Sequence, residues 1–386
     1  MAAAADRKRT GAESLHANMR IAGPVSAMRR DNTNRRDRAV DQRISAVMRI
    51  AARLVLGLAL LASAPAFAEA QTADAQYGPE LEGFDYPYPV QRFAFTSQGE
   101  TMSMAYMDLA PPNPNGRTLV MLHGKNFCSA SWDTLLERLR NAGFRVVAVD
   151  QIGFCKSTKP DHYVFTFQQL AANTHALLAS LGISKVTIVA HSTGGMLGMR
   201  YALMYPDGVD ELAMIDPIGL EDWKAKGVPW MSLDQWEARE RKTNAAGLRK
   251  YEQNTYYAGT WKPEYERWVQ MFAGMFAGPG RDLVVRNSAA LYDMIYTQPV
   301  FYEFEQIKAP VVLIIGDKDT TALGKDTAPP AVRETLGHYP ELGKEAARRI
   351  PNAKLIEFPD LGHAGWLQDP ERVGQALVTS LIGARP

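Results

Sequence analysis

Two cysteines in 386 residues, Cys128 and Cys155, are too few for a disulfide-built scaffold, and neither stands in a C-x-x-C or other metal-ligand spacing. No unbroken apolar run approaches the roughly twenty residues that a membrane-spanning helix needs. The apolar run from Leu54 to Leu61 is far shorter. Internal repeats are absent, and so is low-complexity sequence beyond the N-terminus. What is present is the composition of a globular protein with a large core, 46% hydrophobic and 22% charged.

The N-terminus reads apart from the rest. Met1 to Arg43 is rich in arginine and alanine without a sustained apolar period, and residues 1–47 are expected to be a disordered or over-annotated extension, with Met48 a more natural start. "MRIAARLVLGLALLASAPAFAEA" then places Arg49 and Arg53 before a short apolar run and small residues ending in Ala66-Phe67-Ala68. That is the pattern of a secretory signal peptide over 48–68, cleaved after Ala68; a membrane anchor is the competing reading. A periplasmic or secreted protein is expected. Removing residues 1–68 takes away 12 basic and 5 acidic residues, which turns a net charge of +1 into −6 for residues 69–386. A mildly acidic mature chain with no basic run gives no reason to expect nucleic acid as a partner, and no stable membrane anchor is expected once the signal is removed.

Beyond the signal, apolar β-branched runs alternate with helical patterns. Thr118 to Leu122, Arg145 to Val149, Lys185 to Ala190, Leu212 to Ile215 and Pro310 to Ile315 read as buried strands. Trp132 to Ala142, Phe167 to Leu181 and Gly194 to Tyr205 carry apolar residues at helical spacing. Continuous apolar strands between helices predict an α/β fold: a mostly parallel sheet with helices on both faces. Val90 to Phe95 and Met102 to Asp108, with a turn at Gln98-Gly99, predict an antiparallel hairpin at its edge. The alternation breaks after Ile215. Residues 219–306 hold many aromatics and no convincing central strand, and read as a helical cap inserted between core segments 69–218 and 307–386. Aromatics such as Trp236, Tyr256 and Phe272 either line a cavity there or fill the cap's own core.

"VAHSTGGM", Val189 to Met196, puts Ser192 between a strand and a helix, with Ala190 two residues before it and Gly194 two after. Small residues at those positions let a nucleophile sit on a tight strand-to-helix turn, although serine is also a favoured helix cap. A hydroxyl needs a base oriented by a carboxylate. "PVVLIIGDKD" offers Asp319 after a strand, with Asp317 and Asp216 as alternatives, and "IEFPDLGHAGW" offers His363 in a loop after another. For the developing oxyanion, "VMLHGKNF" turns sharply at Gly124, which makes the backbone amides of Lys125 and Thr193 the candidate donors. Their side chains need take no part.

"LHGKNF", "DQIGFCKS", "AHSTGG", "GDKD" and "GHAGW" together resemble the α/β-hydrolase family over nearly the whole mature chain. Ala190 departs from the usual G-x-S-x-G elbow, and Cys155 stands where the D-x-x-G-x-G-x-S loop often has glycine. The resemblance implies an eight-stranded sheet, a helical cap after the sixth strand, no cofactor, and the set Ser192, Asp319 and His363. It also places the loops of Cys128 and Cys155 on adjacent strands, which implies a disulfide between them, with two separate buried thiols as the alternative. The expected activity is serine-dependent hydrolysis of a small apolar or aromatic ester. Amide, thioester or lactone cleavage on the same residues and a non-catalytic binding role are the other readings. Haloalkane dehalogenases and epoxide hydrolases put aspartate where Ser192 stands, which argues against their chemistry here.

Overall fold

The computed structural model describes residues 74–383. The expected N-terminal extension and signal segment lie outside the described residues. Eight strands form one sheet: β1 (Gln91–Ser97), β2 (Glu100–Leu109), β3 (Thr118–Leu122), β4 (Arg145–Val149), β5 (Val186–His191), β6 (Val209–Ile215), β7 (Val311–Gly316) and β8 (Ala353–Phe358). Their order across the sheet is β1-β2-β4-β3-β5-β6-β7-β8. β1 and β2 pair antiparallel, β2 pairs antiparallel with β4, and all pairings from β4 through to β8 are parallel.

Position in the sheet explains the composition of each strand. β5 and β7 are buried at every residue and read as unbroken apolar runs because helices cover both faces. β8, at the edge, leaves Lys354 and Glu357 exposed, charges that discourage pairing with another chain. The β1–β2 turn uses left-handed backbone at both Gln98 (φ 51°) and Gly99 (φ 83°), the geometry whose twist matches a two-residue hairpin.

The core helices are α1 (Asp133–Asn141), α2 (Phe167–Ser180) and α3 (Thr193–Met204). α1 buries Leu135, Leu136 and Leu139 along one stripe. α3 packs so tightly on the sheet that a Cβ on Gly194 would lie 2.2 Å from the Leu122 carbonyl oxygen, which only glycine permits. Between β6 and β7 the chain leaves the sheet and forms α4 (Leu233–Glu240), α5 (Ala245–Thr255), α6 (Glu266–Ala277) and α7 (Arg281–Thr297). Helices α8 (Tyr339–Arg349) and α9 (Pro370–Gly383) complete the described chain. No helix among the described residues is long and apolar enough to cross a membrane.

The order β4-β3-β5 reverses direction at β3, so crossovers on either side of it leave a crevice at the carboxyl ends of the central strands. Four loops converge there, after β3, β5, β7 and β8. These loops hold Lys125, Ser192, Asp319 and His363.

Candidate active site

Ser192 occupies the N-cap position of α3, yet its side chain makes no capping hydrogen bond. Its backbone is left-handed, φ 53° and ψ −121°, a conformation that costs a β-carbon-bearing residue of order 1–3 kcal/mol and persists only where surroundings enforce it. The enforcement is visible: the Ser192 N–H donates to Ile215 O at 3.3 Å, and its carbonyl accepts from Gly195 at 2.8 Å and Ile218 at 3.2 Å. The strained turn frees Oγ from the helix end and aims it at His363, whose Nε2 lies 2.9 Å away. The capping alternative is thereby set aside.

On its other side, His363 Nδ1–H donates to Asp319 Oδ2 at 2.6 Å, which leaves Nε2 as the acceptor for the serine proton. His363 and Asp319 are both buried. The second Asp319 oxygen accepts the Thr321 N–H at 2.7 Å, so the carboxylate is held at both ends. Asp216, an alternative partner, is spent differently: its Oδ1 accepts the Gly316 N–H at 2.7 Å and props the turn that presents Asp319. Burial and the neighbouring Asp319 charge push the Asp216 carboxyl well above the ordinary range. Asp317 lies at the surface edge of that turn without reaching the histidine.

The turn after β3 approaches closely, since a Cβ on Gly124 would come 2.9 Å from Ser192 Cβ and 2.7 Å from His191 Nδ1. Lys125 and Thr193 both line the cavity beside Ser192, and neither backbone N–H donates a hydrogen bond within the described residues. Two free amides, one at the head of a helix, are what an oxyanion requires. His191 Nε2–H donates to His363 O at 2.9 Å, and burial, with His363 beside it, pushes its imidazole well below the ordinary value. It supports the loop as a neutral ring.

Residues beyond the sequence expectations complete the site. The Lys125 ammonium, expected to be a bystander, is buried: it donates to Ser288 Oγ at 2.7 Å, lies 3.5 Å from Glu240 Oε2 and sits 3.6 Å from the Tyr292 ring centroid. Asn126 donates to the Tyr256 hydroxyl at 3.0 Å, and Tyr256 O accepts the Ala364 N–H at 3.1 Å. The turn after β3 is thus fastened to α4, α7 and the segment after α5. The Tyr256 ring covers His363, centroids 4.7 Å apart. Of the cap aromatics, Trp236, Tyr251, Tyr256 and Phe272 line the cavity with Tyr292, whereas Tyr257 stacks on Tyr265 in the interior. The cavity holds about 620 Å³.

Cys128 and Cys155 are disulfide-bonded, with Cα atoms 5.7 Å apart, as their loops leave the adjacent strands β3 and β4. Asp150 braces the same loops, accepting from Ser129 N at 2.8 Å, Tyr86 Oη at 2.6 Å and Lys156 N at 3.1 Å. His123, Asp150 and Cys155 lie close enough to suggest a metal cluster. Their atoms are committed elsewhere: the sulfur is in the disulfide, and His123 Nε2 accepts the Gln151 N–H at 3.2 Å.

Comparison with known proteins agrees with this architecture. Residues 117–370 match the family model of the alpha/beta hydrolase fold. A probable hydrolytic enzyme from Pseudomonas aeruginosa PAO1, solved as a crystal structure, is 57% identical with a TM-score of 0.80, over 82% of this chain and all of that one. The putative carbamate hydrolase RutD of Cronobacter turicensis is 25% identical over 71% of this chain and 94% of its own length. A haloalkane dehalogenase of Mycolicibacterium paratuberculosis is 31% identical, but the match spans only 34% of this chain and 43% of that protein. With the sheet order, the elbow and the family match in agreement, the chain belongs to the α/β-hydrolase fold family.

Proposed function

We propose that the protein is a serine hydrolase acting on carboxylic esters through an acyl-enzyme intermediate. The observation that carries this reading is the hydrogen-bonded series from Ser192 Oγ through His363 to Asp319, on a strained turn at the floor of a cavity. His363 Nε2 takes the Ser192 proton as Oγ attacks the ester carbonyl, while Asp319 steadies the imidazolium. The Lys125 and Thr193 amides receive the oxyanion, and His363 returns its proton to the departing alcohol. Water then enters, His363 again acts as base, and the acid leaves with Ser192 restored.

The substrate is small and contains an apolar or aromatic part, because the cavity is walled by Trp236, Tyr256, Phe272, Tyr292, Ile218 and Ile295. Dehalogenation, the activity in the name of one relative, uses a carboxylate nucleophile in that enzyme class, and Ser192 is not one. We place the protein in the periplasm or outside the cell; the Cys128–Cys155 disulfide supports an oxidising compartment.

The test is hydrolysis of p-nitrophenyl esters from acetate to decanoate, with the benzoate, by protein starting at Glu69 and by its Ser192→Ala variant. Turnover lost in the variant, with a preference for short or aromatic acyl groups, is expected. Equal turnover by both proteins would contradict the assignment.

A further inference from the structure

The cavity above Ser192 runs against the charge of the chain that builds it. Residues 69–386 carry a net charge of −6, yet the cavity is lined by Lys125, Arg239, Lys242, Lys325 and Arg333 against only Glu240 and Asp326. Three of those cations are committed. Lys125 is held by Glu240 and Ser288. Lys325 donates to the Thr320 and Leu336 carbonyls, and Arg333 to the carbonyls of Lys325, Asp326 and Ala328. Two are not. The Lys242 ammonium is exposed at the mouth and has no partner among the described residues. Arg239, in the last turn of α4, lies against Trp236, its guanidinium carbon 5.6 Å from the ring centroid. Its single ionic partner among the described residues is Asp326, whose Oδ2 is 2.8 Å from one Nη and which is itself 62% exposed.

Among the described residues, Arg239 therefore keeps most of its five N–H donors without a partner, on a helix, backed by an aromatic ring, in the wall of the cavity that contains the nucleophile. Trp236, the ring behind Arg239, stacks on Tyr292 with centroids 4.7 Å apart, and Tyr292 in turn faces the Lys125 ammonium in the same cavity wall. A guanidinium so placed matches a carboxylate, which it can grip through two parallel hydrogen bonds. Asp326, mostly in water, is a partner that a substrate can displace at small cost.

We propose that the physiological substrate is an ester bearing a free carboxylate, bound by Arg239 with Lys242 adding attraction at the mouth, its ester carbonyl reaching Ser192. The proposal rests on the serine hydrolase reading and narrows its substrate class. The apolar wall formed by Trp236, Phe272 and Tyr292 then accommodates the carbon chain between the two ends.

The experiment compares p-nitrophenyl hydrogen adipate with p-nitrophenyl hexanoate, chains of equal length that differ in the terminal carboxylate. Adipate dianion binding is followed by calorimetry alongside, which needs no turnover. The wild type is expected to favour the hemiester by about tenfold or more in kcat/KM, chiefly through KM, and Arg239→Gln to bring that ratio close to one. Arg239→Lys should fall between, since it keeps the charge and loses the fork. Lys308→Gln, which removes a positive charge outside the cavity lining, should leave the ratio in place. Adipate should bind the wild type and be weakened by Arg239→Gln. A wild type with no hemiester preference, or a preference that survives Arg239→Gln, overturns the proposal while leaving ester hydrolysis standing. Adipate binding that depends on Arg239 without hydrolysis of either ester upholds the carboxylate site and overturns the hydrolase reading instead. Absence of both overturns the two together.

Discussion

Removing the Lys125 charge should damage the protein far more than removing the whole ion pair. The ammonium and the Glu240 carboxylate have side chains only 7% and 6% exposed and approach to 3.5 Å. At an effective dielectric constant of about 20 their attraction is about 5 kcal/mol. Against it stands the cost of taking both charges out of water; for Lys125 that cost dominates, since burial pushes the ammonium below its ordinary value despite Glu240. The pair as a whole is thus worth little, but Lys125→Met leaves Glu240, among the described residues, with only the Ser288 hydroxyl, which donates to it at 2.5 Å. Loss of one member of a buried pair costs about 3–5 kcal/mol, whereas replacing both is often close to neutral. Lys125→Met should lose that amount in urea unfolding, and Lys125→Met/Glu240→Gln should recover most of it, giving a coupling of about 2 kcal/mol or more. Additive losses, or a single variant as stable as wild type, would refute the reasoning. Because the same pair ties the turn after β3 to the cap, the single variant should also lower kcat.

Two further outcomes follow from other buried groups. Glu252, on α5, is fully buried without a hydrogen bond among the described residues, and burial, with Glu266 nearby, pushes its carboxyl from an ordinary 4.5 up to about 8. Between those values the folded protein holds a proton that the unfolded chain has released, so stability is greatest at acid pH, falls as pH rises through the window and levels off above about 8. Thermal unfolding from pH 5 to 9 should show a slope worth on the order of 3–5 kcal/mol in total, and Glu252→Gln should flatten it. The Cys128–Cys155 bond spans 27 residues, so its reduction should destabilise the protein by about 3.5 kcal/mol, measured by unfolding with and without a thiol-free reductant. An unchanged midpoint would show that the bond does not constrain the unfolded chain.

Much of the site is legible in the sequence because its signals are local. A buried parallel strand needs an unbroken apolar run, and β3 and β4 fall where those runs lie. The elbow announces itself by small neighbours, and Gly194 shows why: any side chain there meets the Leu122 carbonyl. β6 begins at Val209, ahead of the apolar run from Leu212, since Asp210 and Glu211 break the apolar pattern; Glu211 is buried in an ion pair with Arg117, a partner far away in sequence. Asp319 could be separated from Asp216 only once β6 and β7 were seen side by side, with Asp216 holding Gly316. The role of the Lys125 side chain was not legible at all, since its partners Glu240 and Ser288 lie in a cap whose helices carry no pattern saying which face meets the core. The same applies to Tyr256 and Tyr257, adjacent residues of which one covers His363 and the other fills the interior.

The central claim is that Ser192 is an activated nucleophile, and reaction with a fluorophosphonate tests it without knowledge of the substrate. Folded protein should acquire one adduct, mapped by peptide mass spectrometry to Ser192, that is absent from Ser192→Ala and formed very slowly by His363→Ala. Folded protein that remains unlabelled, or is labelled elsewhere, would contradict the account and leave the cavity as a binding site.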